Sequence, residues 1–507
     1  MKSYYAPILL GLLVIPWINP FAPGPTPAAV PLLVSWFCIL AIAGFAVTRR
    51  MAVDRLISVV AWSWLIAGLI SCAIGVLQYF GAAADFSPWI NQPRYGEAFA
   101  NLRQRNQFAT LTGIALAAFF WLIAQAREKH MTLPSASKSQ VLLAFLAVGL
   151  LAVGNAISSS RTGLFQLVLL CALYGLWGQW RHAAVRHLLL WAVLVYAVAA
   201  ITMPVLAGLD LTLFGVFARL KQDDACGSRM VLWSNVLHLI AQKPWLGWGW
   251  GELDYAHFIT LYHGPRFCDI LDNAHNLPLH LAVELGLPFA LLVCGGFTWW
   301  VLRQKPWAER DATRQMAWAV IALILLHSML EYPLWYGPFQ IAFGLCVFLL
   351  WQSARPFSEL KNIAKKASNW PLASILQAQA AIILIAFVVY AAWDYHRISQ
   401  IYLLPEARDA AYRDNTLVKI RSSLLFADQV QFAELLVTPL TAANAAWMHS
   451  TAGQLLHYSP EPRVIEKLIE SALLLNQLDD ALAYVERYQA AFPKEHAAWA
   501  KKNQKPI

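Results

Sequence analysis

From residue 4 to residue 393 the chain is a succession of apolar runs separated by short polar or basic loops. The runs fall at 4–18, 29–47, 56–80, 108–126, 140–157, 162–180, 188–206, 277–302, 315–330, 338–351 and 372–393. That is about eleven stretches, most of them close to the length a helix needs to cross a bilayer. The first run precedes a Pro-rich loop at 19–27 with small residues beyond it, a pattern shared with cleavable signals. Because that loop leads straight into the next run, an uncleaved first helix is expected. The interruption at 207–276 is far longer than the others and is expected to be a folded loop outside the membrane. After Asp394 charges recur every few residues, as in a soluble domain. The expected fold is therefore all-α: a polytopic membrane domain over 1–393 and a soluble helical domain over 394–507.

Within that second domain, 463–476 and 479–490 read as two amphipathic helices joined by a polar turn, the second ending before Pro493. The pair is similar to a tetratricopeptide-like hairpin, which serves either as a plain helical cap or in protein recognition.

Composition supports the membrane reading. Of 507 residues, 59% are hydrophobic and 13% charged, where a soluble domain carries about 25% charge. The net charge of +9 matters less than its distribution. Arg49, Arg50 and Arg55, then Arg127, Lys129 and Lys138, then Arg181 and Arg186 occupy alternate loops. Arg303, Lys305, Arg310 and Arg314 continue the series, followed by Arg355, Lys361, Lys365 and Lys366. By the positive-inside rule these loops are cytoplasmic, with the N-terminus. With an odd number of spans, the loop at 207–276 and the C-terminal domain then lie outside, which is the periplasm if the membrane is the inner membrane of a Gram-negative bacterium. No basic face with interleaved aromatics calls for nucleic acid. Seven cysteines without a C-x-x-C pair argue against zinc or thioredoxin-like chemistry.

On that topology the residues able to carry chemistry gather on the outer side. Asn273, His275 and Asn276 stand at the mouth of a helix, with Asn276 as N-cap and Pro278 just inside. The plainer alternative is a capping turn with an interfacial histidine. The same side receives Asn101–Gln107, Ser158–Gly163, Gly227–Arg229 and Glu331–Tyr336. Arg161 breaks the positive-inside pattern in a very short loop, and a guanidinium fork binds phosphate oxygens bidentately. Arg103 and Arg229 offer the same fork, the alternative being snorkelling to lipid headgroups. Arginines with one imidazole suit a reaction whose leaving group is a phosphate or diphosphate and whose nucleophile is an alcohol deprotonated by neutral histidine. Glu252, Asp254, Asp269 and Asp272 offer the alternative of a divalent ion, but their spacing matches no tight ligand motif, so no metal and no cofactor is expected.

Asp272-Asn-Ala-His-Asn-Leu-Pro-Leu-His280, Ser160-Arg-Thr-Gly163 and Arg229 followed by Pro244-Trp-Leu-Gly-Trp-Gly249 resemble the O-antigen ligase and polymerase superfamily. Leu102-Arg-Gln-Arg-Asn-Gln-Phe108 and His327-Ser-Met-Leu-Glu-Tyr-Pro-Leu-Trp-Tyr336 are similar to its bacterial protein O-oligosaccharyltransferase branch. The resemblance implies transfer of a preassembled glycan from undecaprenyl diphosphate to a Ser or Thr hydroxyl of a periplasmic protein such as pilin. It implies His275 as base, Arg161 and Arg229 as diphosphate ligands, and Arg103, Gln104, Gln107, Asn276, Glu331, Tyr332 and Tyr336 around donor or acceptor. The rival readings are an O-antigen ligase acting on lipid A core, a polymerase of repeat units, and a lipid-linked glycan transporter. His280, one turn beyond His275, is expected to face the bilayer.

Five of the cysteines fall within apolar runs; Cys226 and Cys268 share the long periplasmic loop. In an oxidising compartment a bridge between them is expected, the alternative being two thiols.

Overall fold

A computed structural model describes residues 6–49, 53–129, 137–210, 226–353 and 371–503. Arg50, Arg355, Lys361, Lys365 and Lys366 of the charge pattern lie outside them, as does 211–225 of the long loop. Among the described residues every regular element is helical and none is a strand.

In chain order the helices begin with α1 (Ala6–Ile18), α2 (Ala29–Arg49), α3 (Val53–Tyr79), α4 (Arg105–Lys129), α5 (Lys138–Ile157), α6 (Arg161–Leu176) and α7 (Ala183–Leu206). They continue with α8 (Arg229–Gln242), α9 (Leu253–Ile259), α10 (Leu277–Leu285), α11 (Leu287–Gln304), α12 (Ala312–Ser328), α13 (Gly337–Ser353) and α14 (Pro371–Ser399). The tail holds α15 (Thr416–Ile420), α16 (Ala427–Val437), α17 (Ala445–Leu455), α18 (Pro462–Leu474), α19 (Leu478–Ala491) and α20 (Pro493–Asn503).

Five of the described helices are long and apolar enough to cross a membrane: α3, α4, α5, α7 and α14. This is fewer than the about eleven apolar runs read from hydropathy. Part of the difference is length. Helix α1 has 13 residues and α6 has 16, so at 1.5 Å per residue each falls short of a hydrocarbon core of about 30 Å. Another part is the run at 277–302, which is two helices instead of one. Gly286 adopts a left-handed φ of 86°, and Pro288 has no N–H to give the carbonyl of Glu284 four residues back. The carbonyls this break strands are taken by another segment. Trp248 N donates to Val283 O at 2.9 Å and Gly249 N to Glu284 O at 2.9 Å, while Leu287 N donates to Pro244 O at 2.8 Å. Gly247 makes this docking possible: a Cβ there would strike the backbone of Glu284 and Leu285.

The chain divides into two compact units. The first comprises 1–22, 26–222 and 302–392. Here α4 is the central helix, packed on α3, α5, α6 and α12 and almost wholly buried from Phe108 to Trp121. Helix α5 starts on a capping box in which Ser137 accepts from Gln140 N and the Gln140 side chain accepts from Ser137 N. Gly163 lets α6 close on its neighbours, since a Cβ there would meet the side chains of Asn155 and Ala109.

The second unit comprises 23–25, 223–301 and 393–507. One core is built from Leu232, Val236, Leu239, Leu253, Phe267, Leu271, Leu281 and Val283 on α8, α9, α10 and the loop between them. Another gathers the tail helices around Leu435, Met448, Leu455, Leu468, Ile469 and Tyr488, and includes Phe258 of α9. Glu252 Oε2 lies 2.6 Å from His457 Nδ1, and Tyr255 stacks on the same imidazole at 3.7 Å. Arg487 Nε donates to Ile259 O at 3.0 Å. Tyr255, Phe258 and Ile259 of α9 are thus part of the tail's own core.

Candidate active site

The first unit carries a polar cluster where three helices end. Gln104 acts as the N-cap of α4: its Oε1 accepts from Gln107 N at 2.7 Å. In the next turn Asn106 makes two bonds of different kinds. Its Nδ2 donates to Glu331 Oε1 at 3.3 Å, and its Oδ1 accepts from Ser160 Oγ at 2.6 Å. Ser160 in turn caps α6, accepting from Gly163 N at 2.9 Å, so Arg161 is the first residue of that helix and is exposed. One helical turn deeper, Gln166 Nε2 donates to Thr110 Oγ1 and to Leu323 O, both at 2.9 Å. Thr110 Oγ1 also lies 2.9 Å from His327 Nδ1. Tyr332 and Tyr336 stack at 5.9 Å across the turn that follows α12. Between these ends is a narrow cleft lined by Gln104, Gln107, His327, Glu331, Tyr332, Pro333 and Tyr336. Five of the expected residues, Gln104, Gln107, Glu331, Tyr332 and Tyr336, therefore meet at one place.

Arg103 is placed otherwise. It sits at a left-handed φ of 62° just before the cap, and its guanidinium donates to Pro20 O and Asn91 Oδ1. It fastens two connecting loops of this unit.

The second unit holds His275 and Arg229. His275 takes a left-handed φ of 49°, unusual for a residue with a Cβ, though histidine tolerates it better than most. Its N–H donates to Asn273 Oδ1 at 2.9 Å, and Asn276 Oδ1 caps α10 by accepting from Leu279 N at 3.2 Å. Backbone strain of about 1–3 kcal/mol is typical of residues whose position is imposed by their surroundings. The turn is bonded to α8, because Trp233 Nε1 donates to Ala274 O at 3.1 Å. Arg229 stands four residues before Trp233, one turn up α8, as the first residue after the N-cap Ser228. Cys226 and Cys268 are joined, with Cα atoms 5.4 Å apart. Asn235 secures the same loop, donating to Pro265 O and accepting from Phe267 N. His280 is buried, not turned to lipid: its Nε2 lies 3.5 Å from Glu284 Oε2 one turn on.

The two arginines share a local design. Each follows a serine N-cap at the first position of a helix. A cation there opposes the helix dipole and weakens the helix by about 0.3–1 kcal/mol, whereas an anion would be held by guanidinium and N-terminal amides together. No group of three His, Cys, Asp or Glu side chains among the described residues is arranged to hold a metal.

Three family models match the chain. Residues 98–123 match the protein glycosylation ligases, 146–294 the O-antigen ligases, and 315–506 the C-terminal part of membrane-bound polymerases described as virulence factors. These segments are similar to the O-antigen ligases and the protein glycosylation ligases. The first match carries the Gln104–Thr110 turn, the second Arg161, Arg229 and His275, and the third His327 and Glu331. The chain is 26% identical over 62% of its length to a ComP-specific O-oligosaccharyltransferase of Acinetobacter baylyi. It is 22% identical over 68% of its length to a general O-oligosaccharyltransferase of the same bacterium. The alignments span 55% and 60% of those relatives' own lengths. No solved structure matches it.

Asp254, one of the acids near this loop, is pushed up to about 7 by burial and by neighbouring Asp272 and Glu252. Its ionised form therefore opposes folding above that pH, and the opposition fades as pH falls toward the ordinary carboxylate range. Asp254→Asn is expected to raise the melting temperature at pH 8 and to change it little at pH 4.5. Equal shifts at both values exclude the ionisation as the cause.

Proposed function

We propose that this protein transfers a preassembled oligosaccharide from undecaprenyl diphosphate to Ser or Thr hydroxyls of exported proteins such as pilin. It works from the bacterial inner membrane, with the site and the C-terminal domain in the periplasm. The observation that supports this most strongly is His275, held in a strained, bonded turn at a helix start within the region that matches the O-antigen ligases. In this reading the imidazole takes the proton of the acceptor hydroxyl as the glycosidic bond forms. The diphosphate leaves without needing a proton, its charge met by Arg161 and Arg229. Asn276 fixes the turn that carries the base. The Gln104, Gln107, Glu331, Tyr332 and Tyr336 cleft receives part of the donor or acceptor. The relatives named as O-oligosaccharyltransferases favour protein as acceptor, and the match to a protein glycosylation ligase at 98–123 covers one wall of that cleft.

Reconstitution tests this directly. The purified chain in lipid is given undecaprenyl-diphosphate-linked oligosaccharide and a pilin from the same bacterium, and the acceptor's mass is read. A mass increase of one glycan is expected. Transfer to lipid A core in place of pilin would make it an O-antigen ligase, and translocation without transfer would make it a transporter. Deleting 394–507 is expected to lower transfer to pilin more than donor binding.

A further inference from the structure

The sequence motif around Glu331 also contains His327, and the structure gives this residue a place that its position in a helix does not explain. The ring is 1% exposed, near the C-terminal end of α12, and lines the cleft with Gln104, Gln107, Glu331, Tyr332 and Tyr336. Its Nδ1 is 2.9 Å from Thr110 Oγ1. The direction of that bond follows from the other partners of Thr110. The single hydroxyl proton has two acceptors, Asn106 O at 2.8 Å and Gln166 Oε1 at 3.1 Å, and goes to the nearer, as threonine in a helix commonly does. Gln166 Nε2 donates into the same oxygen. Thr110 Oγ1 is left to accept from the imidazole, which makes Nδ1 the protonated nitrogen and Nε2 a lone-pair acceptor. Nε2 is buried and has no hydrogen-bond partner among the described residues. Phe339 meets the ring edge-on at 5.9 Å and offers none. A buried acceptor left without a donor is costly, and here it belongs to a ring whose tautomer is fixed from behind.

We propose that His327 is a substrate-binding residue whose Nε2 accepts a hydrogen bond from a hydroxyl of the molecule entering the Gln107–Glu331–Tyr336 cleft. Thr110 and Gln166 are the positioning residues that hold the ring in the accepting tautomer. The inference rests on the glycosyl-transfer reading, in which both substrates bring hydroxyls: sugar hydroxyls on the donor, Ser or Thr on the acceptor. An anion is the wrong ligand for this nitrogen, because the carboxylate of Glu331 shares the cleft and the ring offers an anion no proton.

Two near-isosteric variants separate binding from structure. His327→Gln places an amide group near Nε2 and gives up the bond to Thr110; His327→Asn keeps a donor to Thr110 and leaves nothing at Nε2. Transfer is measured with undecaprenyl-diphosphate-linked oligosaccharide and purified pilin, and the wild-type chain is run beside them. Asn is expected to lose about tenfold or more in kcat/KM, the loss of one substrate hydrogen bond, while Gln retains most of it. A rise in KM confined to the lipid-linked donor assigns the hydroxyl to the sugar; one confined to pilin assigns it to the acceptor. Asn equal to or better than Gln, or both at wild-type level, overturns the proposal. So does loss of the folded protein in both, since that makes the ring a structural element. A wild-type chain that transfers nothing removes the glycosyl-transfer reading itself, a result distinct from these.

Discussion

His275→Ala is expected to stop glycan transfer while the protein remains inserted and folded. A general base contributes about 10²–10⁴ in rate, and the proposed chemistry has no second group at the end of α10 to replace it. The turn should survive the change. Asn273 Oδ1 bonds the backbone N–H of residue 275, Asn276 caps the helix, and Trp233 holds the carbonyl of Ala274. None of these involves the imidazole. Alanine is poorly suited to a left-handed φ, so a loss of activity alone would confuse strain with chemistry. His275→Asn resolves the two, because asparagine accepts that conformation readily and is no base. Both variants should fall to the same low rate in the reconstituted assay, with Asn the more stable by thermal melting. An Asn variant near wild-type turnover would end the assignment of His275 as base.

The arginines give the second large effect, and it has two signs. Arg161→Gln and Arg229→Gln each remove a cation from the first turn of a helix, where it works against the dipole. For Arg161→Gln stability should hold or rise slightly, and at both positions transfer should drop at least about a hundredfold if each guanidinium meets diphosphate charge, by analogy with the loss of an oxyanion-stabilising donor. Arg→Lys at either position keeps the charge but not the fork, and is expected to recover only part of the rate. Inorganic diphosphate should inhibit the wild type and inhibit the Gln variants less. A Lys variant with full activity would reduce the residue to a headgroup anchor. A Gln variant that unfolds would show the side chain to be structural, as that of Arg103 is in its bonds to Pro20 and Asn91.

Much of this arrangement is legible in the sequence, and the omissions have physical causes. Apolar run length finds helices well, yet it overlooked the interruption at Gly286 because Leu285, Leu287 and Pro288 all read as apolar. The signal was the Gly-x-Pro spacing, a helix stop followed by a residue without an N–H. The Asn276 cap followed from residue type alone. Gln104 as a cap did not, since glutamine is an uncommon N-cap. Asn106 stood in the same motif as Gln104 and Gln107, but which of the three reaches Glu331 depends on helix phase. His280 was expected to face lipid because neighbouring residues are apolar; its partner Glu284, four residues on, was the clue to burial. His327 was overlooked for a related reason, as its partner Thr110 lies on another helix.

The Thr110–Gln166–His327 bonds also bear on how the protein is made. Thr110 and Gln166 belong to helices made early in synthesis, yet Gln166 waits for Leu323, 157 residues later, and Thr110 for His327, 217 residues later. Until α12 arrives, Gln166 lacks the carbonyl of Leu323 and Thr110 lacks the imidazole of His327, which leaves them each other and the bond from Thr110 back to Asn106 O; polar groups short of partners are costly in an apolar setting. Biogenesis therefore has an interval in which α4 and α6 are held half-assembled. Truncated chains ending between α6 and α12 would be the natural substrates of membrane quality control.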